Sequence, residues 1–126
     1  MRPIEFRGWS PILKRWLFGC YCVAFKRHFM TRDVEVFEEY EQYEVIPESI
    51  GQFIGMTDGN GVKIFGAVGD KGGDLVKRYN AIFSVEYIGA EWVLKSIAKP
   101  DYCLTLAFCD MSDIIIVGNA YDGVKK

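Results

Sequence analysis

The sequence predicts a mainly β protein folded as a small barrel or sandwich. Short segments of alternating apolar and polar residues recur along the chain, and glycine-rich turns separate them about every 8–12 residues. Half of the 126 residues are hydrophobic and 15% are aromatic, which is enough to build a real core. A closed barrel would also remove the exposed sheet edges that make an apolar β protein prone to aggregation.

The N-terminal region is expected to contain several strands. Phe6 and Gly8 alternate with charged neighbours, which indicates a strand with one buried face. Residues 15–25 are apolar and aromatic and predict a second strand, bent at Gly19. Residues 28–30 are its expected hairpin partner.

An acidic segment follows, and its pattern is ambiguous. Apolar residues recur every three positions over residues 33–43, and Asp33 is suited to cap a helix. The segment is therefore interpreted as a short helix or an acidic loop that leads into a strand at about residues 43–46.

A β-hairpin over residues 51–65 is the clearest local feature. Its turn contains Asp58-Gly59 and Asn60-Gly61, pairs that supply the positive φ angles of tight turns. The remaining elements are expected to be a mobile glycine-rich loop at 66–73, strands at 74–79, 81–88 and 91–96, a turn at 98–102, a strand or short helix at 104–108, and a last strand at 114–120.

Five segments, in order along the whole chain, resemble the YopX family of phage and prophage proteins. They are residues 1–8, residues 14–19 with their tryptophan and Phe-Gly, residues 45–55 continuing through the hairpin to 65, the Gly-Asp-apolar-Val strand opening at 73–77, and the closing strand at 116–122. Residues 66–71 depart from the family pattern as an insertion, which lengthens a loop at little thermodynamic cost and is a candidate partner contact.

The resemblance implies a mainly β fold with an SH3-like small β-barrel, to which the residue patterns add N-terminal strands and either one short helix or none. It implies a single domain over residues 1–126, with N-terminal strands and the acidic segment in 1–46 and the barrel in 47–126. It brings no established activity, and no catalytic residue, cofactor or metal is expected.

Charge is unevenly distributed although the net charge is only −2. Residues 1–32 carry a net charge of +6 and residues 33–50 a net charge of −7. The two blocks are interpreted as compensating each other, and the alternative is a basic face for nucleic acid. The candidate residues for a nucleic-acid or partner surface are Lys14, Arg15, Trp16, Lys26, Arg27 and Phe29.

Metal and catalytic chemistry are weakly indicated. Cys20, Cys22, Cys103 and Cys109 have C-x-C and C-x5-C spacings, unlike zinc knuckles, so they are expected to be buried thiols. The single histidine, His28, lies in a predicted strand without an evident nucleophile beside it. We therefore expect no enzyme.

The function expected from the sequence is that of a non-catalytic accessory protein of a phage or prophage. Nineteen aromatic residues in so short a chain favour a self-associating interaction module with a phage or host protein partner. The alternative is a nucleic-acid-binding module that uses residues 14–32. No apolar run is long enough to span a bilayer, so we expect no membrane association and a location in the cytoplasm of the bacterial host.

Overall fold

The computed structural model describes residues 5–24, 26–31 and 42–124. Within these ranges it has twelve β-strands and no α-helix, which confirms the mainly β fold. The strands are β1 Phe6–Ser10, β2 Arg15–Ala24, β3 Arg27–Thr31, β4 Gln42–Glu44, β5 Gly51–Thr57, β6 Lys63–Ala67, β7 Asp74–Arg78, β8 Ala81–Ile88, β9 Glu91–Ser96, β10 Cys103–Thr105, β11 Ile114–Asn119 and β12 Gly123–Val124. No helix in the described ranges could cross a membrane.

The strands form two six-stranded antiparallel sheets. The first has the order β4-β3-β2-β1-β5-β6, and the second has the order β10-β9-β8-β7-β11-β12. The described strands of the first sheet all precede residue 68, and those of the second all follow residue 73, so the sheets are consecutive stretches of chain. Neither sheet closes on itself within the described ranges, and the SH3-like barrel stays a prediction.

Most predicted strands are present. Strands β8 and β9 have the predicted ends, and the residues between them have positive φ at Gly89 and Ala90, as a tight hairpin requires. The segment predicted as a strand or a short helix contains both, because β10 is followed by a 3₁₀ turn at Leu106–Phe108. The helix or acidic loop predicted within residues 33–43 falls almost entirely outside the described residues.

Two apolar clusters form the core. The larger packs Ile54 and Ile64 of the β5–β6 hairpin against the second sheet, including Val76 and Phe83. The smaller consists of Leu17, Met30, Val45 and Ile50 and lies beneath the N-terminal strands. Because β5 pairs with both β1 and β6, hydrogen bonding continues across the predicted division at residue 46, and that division stays a prediction.

The turn between β5 and β6 is fastened to the second sheet by Asp58. Its carboxylate accepts hydrogen bonds from the backbone amides of Asn60 and Val62, each at 2.9 Å, and of Ile116 in β11 at 3.0 Å. Gly61 has a φ of +80°, which glycine adopts without strain. Asp58 therefore shapes the hairpin and also ties it to β11.

The glycine-rich connection between the sheets is not the mobile loop expected from its composition. The backbone amides of Val68 and Gly69 donate to the backbone carbonyl of Ile50 at 3.0 and 2.9 Å. The backbone amide of Lys71 donates to the backbone carbonyl of Glu48 at 2.8 Å. A Cβ atom at Gly72 would lie 1.7 Å from the Ile50 carbonyl oxygen. Glycine is needed here for close backbone packing, and the composition that suggested mobility reflects that need.

The cysteines are not all buried, contrary to the prediction. Cys20 and Cys103 are exposed and Cys109 is half-buried, while the side chain of Cys22 lies outside the described part of the chain. Strand alternation places Cys20 on the same face of β2 as Phe18, and Phe18 is itself 49% exposed. That face is open at this point, so the apolar character of the segment did not imply burial.

Candidate functional site

A cleft of about 820 Å³ lies between the two sheets. Residues of β1, β2 and β6 form one side, and residues of β7 and β11 with Asp122 form the other. Aromatic side chains from Trp16, Phe18 and Phe65 and aliphatic ones such as Ile116 dominate the lining. This size and chemistry are typical of a ligand-binding cleft.

Arg7 and Asp74 are the most deeply buried charged residues of the cleft. They are 8% and 3% exposed, and Nη1 of Arg7 lies 2.8 Å from Oδ1 of Asp74. Nη2 of Arg7 donates to the carbonyl of Gly72 at 3.1 Å. The predicted β1 alternation assigned burial to Phe6 and Gly8, but Phe6 is only half-buried and Arg7 is buried, because the second sheet supplies a counter-ion at this point.

Two aromatic rings enclose the Arg7 guanidinium further. Its central carbon lies 5.0 Å from the ring centroid of Trp16 and 4.8 Å from that of Phe65. Arginine suits this position because its planar, weakly hydrated cation stacks on aromatic faces. Nε of Arg7 is buried and has no hydrogen-bond partner among the described residues.

Burial destabilises the charged form of Asp74. Burial raises the pKa of Asp74 above its usual range, and the attraction of Arg7 and a 2.8 Å hydrogen bond from the Phe65 amide only partly oppose this effect. A buried ion pair is often no more stable than apolar residues of similar volume. Perturbed titratable groups in a cleft are candidates for function on that ground.

One end of the cleft carries a fixed carboxylate. Oδ2 of Asp122 accepts hydrogen bonds from the indole N–H of Trp16 at 3.3 Å and from the Asn119 side-chain amide at 3.1 Å. Asn119 Oδ1 in turn accepts a hydrogen bond from the backbone amide of Asp122 at 2.7 Å, which closes the turn after β11. Trp16 also contacts the rings of Trp9 and Tyr121, so the exposed Asp122 lies beside a rigid aromatic cluster.

The other end of the cleft carries an exposed ion pair and apolar groups. Nζ of Lys63 lies 2.7 Å from Oε2 of Glu5. Phe18 is 49% exposed and packs on Phe65 at a centroid distance of 5.7 Å, and Val62 is 52% exposed. An incoming apolar group would therefore meet uncovered aromatic and aliphatic surface here.

Residues 5–125 match the family model described as YopX protein. The chain belongs to the YopX family. Searches among curated proteins and among solved structures found no match. The thirteen described residues that line the cleft fall within the five segments by which this chain resembles YopX proteins.

The predicted nucleic-acid surface is divided between two places in this YopX chain. Lys14 and Arg15 are exposed at the start of β2, and Trp16 turns into the cleft. The other three residues, Lys26, Arg27 and Phe29, lie at the far end of the β2–β3 hairpin. The two groups therefore lie at opposite ends of β2, and the surface stays a prediction.

Charge compensation between the basic and acidic blocks is visible at one point. The Arg27 guanidinium is ion-paired with Glu44 on β4 and lies over the ring of Phe29. This contact agrees with the interpretation that the two blocks neutralise each other. Most of the acidic block lies outside the described residues.

His28 and the cysteines form no chemical constellation in the part of the chain that the structure describes. Nδ1 of His28 is 2.6 Å from the hydroxyl of Tyr21, and the two rings are stacked. No group of three or more His, Cys, Asp or Glu residues able to hold a metal ion occurs among the described residues.

Of the residues that define the cleft, sequence reasoning singled out Trp16 but missed Arg7 and Asp74. Asp74 was noted only as part of a family-like segment, and Arg7 only as a polar position in a strand. Their contact joins β1 to β7 over 67 positions of sequence, and no local pattern signals such a distance. The one usable signal was that cleft residues occur within the family-like segments.

Proposed function

We propose that this YopX-family protein is a non-catalytic accessory protein of a phage or prophage that binds a partner through the cleft between its sheets. The proposal rests on the lining of the cleft, which combines exposed aromatic and aliphatic surface with a few fixed polar groups. The convergence of all family-like segments on its lining supports a shared binding role for this surface.

The chemistry of the lining supports binding rather than catalysis. Among the described residues that line the cleft, none is a serine, cysteine or histidine. Its two buried charged groups, Arg7 and Asp74, are engaged with each other, so neither is poised as a general acid or base.

Self-association in the cytoplasm of a bacterial host is part of the proposal. Phe18 and Val62 at the cleft, and Tyr87 and Ile88 near the β8–β9 turn, are large exposed apolar side chains of the kind that subunit contacts cover. An SH3-like arrangement of residues 47–126 is proposed as well, supported by the packing of the β5–β6 hairpin on the second sheet.

Site-specific photocrosslinking in the native host tests the proposal. A photoreactive phenylalanine analogue replaces Phe18, which lies in the cleft. The matched control places it at Tyr79, an exposed aromatic residue of the β7–β8 turn. We expect a discrete protein adduct from position 18 only, together with a homodimer band if copies associate.

The purified adduct partner then provides the quantitative arm. Its affinity should fall at least tenfold with Phe18→Ala and remain unchanged with Tyr79→Ala, because a buried aromatic anchor typically contributes more than 1.4 kcal/mol. Identical adducts from both positions, or no adduct from position 18, contradict the cleft as the binding surface. Light scattering that shows a strict monomer at high concentration removes the self-association.

A further inference from the structure

The charges lining the cleft do not balance, and the imbalance has a defined position. The described lining residues include three carboxylates and two cations. Asp74 pairs with Arg7, and Glu5 pairs with Lys63. Asp122 pairs with no cation among the described residues, so the uncompensated charge of the described lining is one exposed carboxylate.

The Asp122 carboxylate is held in a fixed orientation. Oδ2 accepts two hydrogen bonds, from Trp16 and Asn119, and the Asp122 backbone amide is held by Asn119 in return. The side chain therefore loses little further freedom when it accepts a third donor, which favours binding. The adjacent face is aromatic, formed by Trp16 with Trp9 and Tyr121.

Arg7 shows that an arginine suits an environment of aromatic rings and a carboxylate. Arg7 lies over Trp16 and Phe65 and is paired with a carboxylate from the opposite sheet. At the exposed end of the cleft, the Asp122 carboxylate lies beside the aromatic cluster of Trp16, Trp9 and Tyr121 and pairs with no cation among the described residues. A guanidinium satisfies both, because it stacks on rings and donates to a carboxylate at the same time.

We propose that the cleft recognises a peptide segment of its partner that presents an arginine side chain next to apolar residues. The arginine guanidinium binds Asp122 beside Trp16, and the apolar neighbours cover Phe18 and Val62. This inference rests on the proposed function and specifies the partner. It disfavours nucleic acid at this end of the cleft, because Asp122 would repel a phosphate backbone.

An NMR titration with two short peptides tests the charge requirement. The probes are acetyl-Leu-Arg-Leu-amide and the analogue in which citrulline replaces arginine, which keeps the shape and removes the charge. The indole N–H signal of Trp16 reports on the site because that group donates to Asp122, and the indole signal of Trp92, which lies outside the cleft lining, is the internal reference. We expect the arginine peptide to shift the Trp16 signal at lower concentration than the citrulline peptide.

Two variants of equal charge assign the effect to one carboxylate. Asp122→Asn keeps an acceptor for Trp16 and Asn119 but removes the charge, and Asp101→Asn removes an exposed charge outside the cleft lining. The Kd for the arginine peptide should rise about threefold to fivefold in Asp122→Asn. It should not change in Asp101→Asn, and the citrulline peptide should bind both variants as it binds the wild type.

Several outcomes overturn the inference. Equal affinity for the two peptides, no effect of Asp122→Asn, or no shift of the Trp16 signal contradicts arginine recognition. A larger Trp16 shift with a ten-residue oligothymidine than with the arginine peptide does so as well. These failures leave the photocrosslinking result at position 18 intact, so the proposed function stands or falls on its own experiment.

Discussion

Asp58 and Asp74 are two buried aspartates that join the same two sheets by different means. Asp58 is 6% exposed, and three backbone amides donate to its carboxylate. Asp74 is 3% exposed and relies on the Arg7 guanidinium and one amide. Burial tends to raise both pKa values, but the backbone donors lower the pKa of Asp58 overall, whereas the pKa of Asp74 stays raised.

The different partners of the two carboxylates indicate that Asp58 has a structural role and that Asp74 belongs to the cleft. Fixed backbone amides satisfy Asp58 without bringing a second charge into the interior. Asp74 requires a buried arginine, and the pair lines an open cleft instead of a closed core. A fold that only had to join its sheets could have used the first solution twice. The variants below probe that distinction.

Arg7→Met should have the largest effect, because it leaves the Asp74 carboxylate buried without its cation. We expect the free energy of unfolding at pH 7 to fall by about 3–5 kcal/mol, measured by urea denaturation. Arg27→Met, which removes an exposed ion pair, is the control and should lose at most about 1 kcal/mol. A loss below about 1 kcal/mol for Arg7→Met would show that Asp74 is not buried as described.

Asp58→Ala should be the next largest change. Three backbone amides lose their acceptor, and water can reach those in the exposed turn more easily than the one on β11. The expected loss is about 2–3 kcal/mol, again by urea denaturation. Asp101→Ala at an exposed turn should have a far smaller effect, and equal losses in the two variants would remove the structural role of Asp58.

Replacing both members of the buried pair should be much milder than replacing one. Arg7→Met combined with Asp74→Leu is expected to recover most of the stability lost by Arg7→Met and to approach the wild type within about 1–2 kcal/mol. The residual cost reflects the Phe65 amide, which loses its acceptor. A double variant no more stable than Arg7→Met would mean that the pair contributes more than its charges.

The smallest effect is a difference in pH dependence. A carboxyl with a lowered folded-state pKa contributes stability above the ordinary value of 3.8 and loses it as the pH falls, which is the case of Asp58. A raised pKa does the opposite, so the Asp74 contribution is present at low pH and is lost as the pH rises above 3.8.

Urea denaturation from pH 3 to pH 7 measures both contributions. The stability difference between wild type and Asp58→Asn should grow with pH, and the difference between wild type and Asp74→Asn should shrink. Parallel curves for the two variants would show that the two carboxylates have the same environment.

Local sequence pattern predicted strands well where turns were explicit. The alternation in β8 and the Gly89 turn before β9 set their ends correctly, since both signals lie within a few residues. The same reasoning failed for Arg7 and for the Gly72 region. Whether a strand has one buried face or two, and whether a glycine is mobile or tightly packed, depends on chain segments far away in sequence.

The site was less predictable than the strands for the same reason. Trp16 was singled out for its basic neighbours in sequence, but its contacts in the structure include Arg7, Tyr121 and Asp122, none of which adjoins it in sequence. A set of short family-like segments located the cleft better than any charge cluster, because residues that line one surface need not be close in sequence.

The consecutive order of the two sheets affects how the protein is made. When residues up to 68 have left the ribosome, every described strand of the first sheet has been synthesised, but Ile54 and Ile64 still lack Val76, Phe83 and the other second-sheet residues that cover them. During translation the nascent chain therefore exposes an apolar surface of the kind that chaperones bind.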